Sequence, residues 1–87
     1  MAVGVLGASG VGPGGSSTAY TVPGGISYAV VHVYKSGGAV ATANGSGMVT
    51  PASLVLGPGQ SIGLVSTANP LSFAPGSSIV VSGYEIP

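Results

Sequence analysis

The chain of 87 residues has no cysteine and no tryptophan, one basic side chain (Lys35), one acidic side chain (Glu85) and one histidine (His32). Each scarcity excludes something. Without cysteine there are neither disulfides nor thiolate metal sites, and one His with one Glu is too little to hold a metal ion. One lysine cannot neutralise the phosphates a nucleic acid presents, and it cannot form a basic membrane-surface helix. Gly, Ser, Pro or Asn interrupts every apolar stretch before the ~18 residues that a membrane span needs. General acid-base chemistry draws on two titratable groups in different environments, and His32, Glu85, Lys35 and four tyrosines supply no such pair at a readable spacing. The expectation is a non-enzymatic chain with no cofactor, no metal and no catalytic residues.

What the chain lacks also bears on how it stays folded. A domain of this size buries only roughly 60% of the surface of its unfolded chain, so small domains draw on disulfides, metals or association for stability. With the first two excluded, association remains. Near-zero charge favours it too, because nothing on the surface repels a neighbour. The start, Met1-Ala2-Val3-Gly4-Val5-Leu6, lacks the charged region and long apolar core of a secretory leader. The expectation is a protein made in a cytoplasm and used without export.

Glycine is what the chain has in quantity, with 17 residues, alongside 7 prolines. Residues 1–17 carry Gly4, Gly7, Gly10, Gly12, Gly14 and Gly15 among small side chains, and read as an extended arm. Val3, Val5, Leu6 and Val11 within it are more apolar than a solubilising tail requires, so the arm is expected to order on a neighbouring subunit. Residues 18–87 read as strands and turns. Residues 26–34 are rich in β-branched and aromatic side chains. Their alternation places Ile26, Tyr28, Val30, His32 and Tyr34 on one face and Ala29, Val31 and Val33 on the other. Both faces are apolar, which predicts a central strand covered on each side. Residues 78–86 are a second strong strand, with weaker ones at 39–43, 53–56, 61–66 and 71–73.

Turn chemistry is explicit. Pro23-Gly24, Pro58-Gly59 and Pro75-Gly76 suit type II turns, where Pro presets the first corner and Gly takes the positive φ of the second; Asn44-Gly45 is a hairpin signal. The stretch from Leu54 to Ile62 echoes that from Leu71 to Ile79, two uses of one strand-turn-strand solution. Turns about every ten residues without a 3.6-residue period predict an all-β fold, a small antiparallel β-sandwich or jelly-roll-like barrel.

Two motifs are composition by-products. Gly4 to Gly12 imitates a dinucleotide-binding turn, but Pro13-Gly14-Gly15 follows where a helix must start, and no acid stands some 20 residues on. Asn44-Gly45-Ser46 matches a glycosylation acceptor, yet suits a hairpin better. Lys35 and Glu85 lie near the ends of the two best strands and could pair across a sheet. Tyr20, Tyr28, Tyr34 and Tyr84, the large amphipathic groups, suit an interface or a glycan-stacking face.

The Gly-rich start, Thr21-Val22-Pro23-Gly24-Gly25, the Pro-Gly turns and the ending Ser78-Ile79-Val80-Val81-Ser82-Gly83-Tyr84-Glu85-Ile86 together resemble small structural proteins of tailed bacteriophages. The chain is similar to capsid decoration (cement) proteins and to terminal modules of tail fibres. The resemblance implies a β-sandwich or jelly-roll knob on a virion, often trimeric, made in the host cytoplasm and needing no cofactor. Its expected partners are copies of itself, as a homotrimer, and a larger shell such as a major capsid protein, with no nucleic acid and no membrane. The competing expectation is a tail-fibre or spike tip that binds host-surface glycan. An ice-binding role would need a regular threonine array, which positions 18, 21, 42, 50 and 67 do not form.

Overall fold

A computed structural model describes residues 3–12, 15–66 and 76–87. Among them are eight strands: β1 (Val3–Val11), β2 (Ser16–Thr21), β3 (Tyr28–Ser36), β4 (Val40–Ala43), β5 (Ser46–Met48), β6 (Ala52–Leu56), β7 (Ser61–Val65) and β8 (Ser77–Ile86). They form two four-stranded antiparallel sheets, in the orders β1-β8-β3-β6 and β2-β7-β4-β5. Eight strands in these two orders are a double-sheet jelly roll. The weak strands expected at 39–43, 53–56 and 61–66 are β4, β6 and β7; the one at 71–73 lies outside the described residues.

The core is one layer of small and branched side chains between the sheets. Ala29, Val31 and Val33 of β3, Ile79 and Val81 of β8, and Leu56 of β6 face Ile62 and Leu64 of β7, Ala41 of β4 and Tyr20 of β2, all buried. Fully burying one such aliphatic side chain contributes roughly 1.5–3 kcal/mol, so this layer is the main favourable term in a chain without disulfides. Among the described residues no buried side-chain nitrogen or oxygen lacks a hydrogen-bond partner. Ser77, the one buried polar residue among those described, accepts from the Ala39 amide at 2.9 Å.

The turns follow their residues. Asn44 (φ 53°) and Gly45 (φ 83°) both take positive φ between paired Ala43 and Ser46, the two-residue hairpin their sequence prescribes. Asn44 Oδ1 also accepts from the Ser61 amide at 2.9 Å, tying the hairpin to β7. Pro58-Gly59 makes the expected type II turn: Gly59 has φ 80° and the Gln60 amide donates to Gly57 O at 3.2 Å. Pro23-Gly24 does not. There the Ile26 amide donates to Pro23 O, making Gly24 and Gly25 the corners, and neither has positive φ. Pro75 lies outside the described residues.

Within residues 1–17, the described part is not set apart from the domain as an arm. It contains β1, hydrogen-bonded along its length to β8 of the same chain, and the start of β2. Glycine-rich backbone is compatible with a strand when a partner satisfies its amides and carbonyls, and β8 does so. Leu6 and Val11 pack against the chain's own core, whereas Val3 and Val5 are exposed.

Candidate functional site

β3 sits centrally in its sheet, between β8 and β6, but is covered on one face only. Side chains of directly paired residues share a face, so the register assembles the outer surface row by row. Val3, Tyr84, Val30 and Val55 stand side by side across all four strands. The next row is Val5, Ser82, His32 and Ser53, and the one after it Ala8, Val80 and Tyr34. Tyr28 and Ile86 extend the surface at one end. This is an exposed apolar face: Val3, Val5, Val55 and Tyr34 are each more than 60% accessible, and Tyr28, Tyr84 and Val80 about 40%. Contiguous apolar surface of this kind marks an interaction site more often than a scatter of single residues does.

Polar groups on the face are few, and two pairs of them are hydrogen-bonded across strands. His32 Nδ1 and Ser53 Oγ are 2.6 Å apart across the β3–β6 pair, and the hydroxyls of Ser36 and Ser78 are 2.7 Å apart across β3–β8. His32 is exposed, with its hydrogen bond made to a hydroxyl. The ring nitrogen that a triad acid would hold is instead bonded to the Ser53 hydroxyl. Neither formal charge belongs to the face. Lys35 pairs with Ile79 and Glu85 with Ala29, both of which are buried on the core side. The two do not pair with each other: Lys35 Nζ donates to Gly37 O at 3.0 Å, and Glu85 accepts from Tyr20.

The four tyrosines separate accordingly. Tyr28, Tyr34 and Tyr84 belong to the outer face, but Tyr20 does not. It is buried in the opposite sheet, and its hydroxyl donates to Glu85 Oε2 at 2.6 Å. Burial first, then the hydrogen bond to Glu85 and its negative charge, push the Tyr20 phenol well above the ordinary tyrosine range.

Two β-bulges place these groups, and they escape a reading of alternation. In β1, Val5 pairs with Ser82 and Gly7 with Val81, leaving Leu6 extra. In β2, Thr18 pairs with Gly63 and Tyr20 with Ile62, leaving Ala19 extra. Each extra residue reverses which side faces the core. Hence Val3 and Val5 point outward while Gly7, Ser9 and Val11 point inward, and Tyr20 enters the core. The bulges touch: a side chain at Gly7 would occupy the carbonyl position of Ala19, and the Ser9 and Ser17 hydroxyls are hydrogen-bonded beside them.

A concavity lies on the outer face of the other sheet. It is an open depression of about 350 Å³ lined by hydroxyls of Ser16, Thr18, Thr42 and Ser61. Its floor is Gly63, where any Cβ would crowd Ser17 O and Thr42 Oγ1. The lining has no aromatic, charged or metal-binding side chain, and no group of three or more His, Cys, Asp or Glu occurs among the described residues.

No protein-family model, no curated protein and no solved structure matches this chain.

Proposed function

We propose that this protein is a non-enzymatic structural subunit that assembles through its outer β1-β8-β3-β6 face, and that its place is a virion, as a capsid decoration subunit stabilising an assembled shell. The observation that carries the reading is that face: four strands wide, apolar, exposed and without a formal charge, on a chain with one Lys and one Glu in all. The jelly roll is an architecture used in viral capsid and lectin domains, which supports the reading only by analogy, since a fold does not fix a function. The resemblance of the Gly-rich start and the β8 sequence to phage structural proteins points the same way. The mechanism is mass action. Each copy that binds only the assembled state stabilises that state by its binding free energy. Val and Tyr side chains of the outer face supply the energy of the contact between copies, because ion pairs cannot.

Static light scattering of the full chain over a concentration series tests the reading. A discrete closed oligomer is expected; a species that stays monomeric at every concentration contradicts self-assembly.

One observation favours a second reading, a fibre-tip module that binds host glycan. Tyr28, Tyr34 and Tyr84 share one exposed face with the hydroxyls of Ser53 and Ser82, and aromatic rings beside hydroxyls suit sugar stacking. Binding on a glycan array that disappears in Tyr34→Ser would support it, and silence across the array would count against it.

A further inference from the structure

The hairpin between β4 and β5 carries a chemistry that its role as a turn leaves unused. In an asparagine followed by glycine, the glycine backbone nitrogen can attack the side-chain amide carbon. A five-membered imide closes, and the amide nitrogen leaves as ammonia with the proton of the glycine amide. Water then opens the imide. Opening at the side-chain carbonyl gives aspartate. Opening at the main-chain carbonyl gives isoaspartate, whose backbone runs through the side chain and is one atom longer. No reactant besides water is needed.

The chain has two asparagines. Asn69 precedes Pro70, whose nitrogen has no hydrogen to release. Asn44 precedes Gly45, is exposed, and has nothing within 4 Å of the place a Gly45 side chain would take. The hairpin closes through Ala43 and Ser46, and the Gly45 amide makes no hydrogen bond to another described residue. The nucleophile is therefore free, and the hold is on the electrophile. Asn44 is bound twice to one residue of β7: its amide donates to Ser61 O and its Oδ1 accepts from the Ser61 amide, both at 2.9 Å.

We propose that Asn44 is a self-modification site whose reaction is gated by this tie between the hairpin and β7. The carbon that must reach the Gly45 nitrogen is the one whose oxygen Ser61 holds, so the bond to Ser61 breaks before attack. Local opening of the hairpin sets the rate. The two products differ in what they leave behind. Aspartate keeps an oxygen that can accept from the Ser61 amide. Isoaspartate adds a backbone atom to a two-residue turn whose geometry is fixed by its positive φ angles, and so undoes the tie. Either product adds a carboxylate to a chain that has one acid and no net charge. The proposal stands independently of the assembly reading.

The test holds the full chain in mildly alkaline buffer, folded in one sample and unfolded in guanidinium chloride in the other. Ion exchange follows the acidic forms, and mass spectrometry of their peptides locates the change. Modification is expected at position 44 in both, at least ~5-fold slower in the folded chain, the weight of one average hydrogen bond. Equal rates in the two states overturn the gate. Absence of the acidic form at position 44 from the unfolded chain overturns the site. The Asn44→Asp chain should melt with wild type, and the separated isoaspartate form should melt below both. An isoaspartate form as stable as wild type contradicts the tie, as does an Asn44→Asp chain that melts with the isoaspartate form.

Discussion

The hydroxyl of Tyr20 reaches across the sandwich to Glu85, a 2.6 Å hydrogen bond from β2 in one sheet to β8 in the other. It joins the chain's only acid to the most buried of its tyrosines, so the one formal negative charge serves to tie the layers together. Removing the donor should be costly. Tyr20→Phe keeps the ring but leaves the carboxylate without this donor, and is expected to lose about 1.5–3 kcal/mol, the range for hydrogen bonds to charged groups. Urea unfolding of the two proteins measures the difference.

The same bond fixes a pH dependence. The Tyr20 phenol is raised in the folded state, so the unfolded chain ionises first, at the ordinary value of about 10. The stabilisation is therefore complete below pH ~10 and is lost as pH rises from there toward the folded value. Wild type should lose thermal stability between pH 9 and 11 faster than Tyr20→Phe, narrowing the gap between them. Melting temperatures that fall in parallel would remove the linkage.

Glycines divide by what surrounds them. Gly83 has φ +143°, and a side chain there would strike the Val30 carbonyl; at Gly7 it would strike Ala19. Gly24 has open space and no positive φ. Gly83→Ala and Gly7→Ala should each destabilise by 2 kcal/mol or more, on the order of other strained backbone positions, while Gly24→Ala should be neutral or stabilise by up to ~1 kcal/mol. Chemical denaturation midpoints in that order are the expected outcome.

Sequence reading reached the sheet interior and stopped at its irregularities. β3, β8 and the Asn44-Gly45 hairpin were legible because β-branched alternation and paired positive-φ residues have few other uses. β1 was not, since its glycines look like a flexible arm and the partner that orders them, β8, lies some 75 residues away. The bulges at Leu6 and Ala19 left no mark in the pattern, yet they turn Val3 and Val5 outward and Tyr20 inward. Apolar residues on both faces of β3 predicted cover on both sides. Within one chain only the face of Ala29, Val31 and Val33 is covered, and the other is the exposed face proposed above for assembly.

Substitutions on that face should separate assembly from folding. Tyr34 and Val55 are each over 60% exposed, so Tyr34→Arg and Val55→Arg should shift the stability of an isolated subunit by no more than ~0.5 kcal/mol. Circular dichroism at high dilution should show the same β signature as wild type.

The central claim is that the apolar β1-β8-β3-β6 face is where copies meet, and sedimentation velocity of wild type beside the Tyr34→Arg/Val55→Arg double variant tests it most directly. The wild-type chain should sediment as a closed oligomer whose population grows with concentration, and the double variant as a monomer under the same conditions. Equal sedimentation of the two would place the contact elsewhere on the molecule and contradict the account.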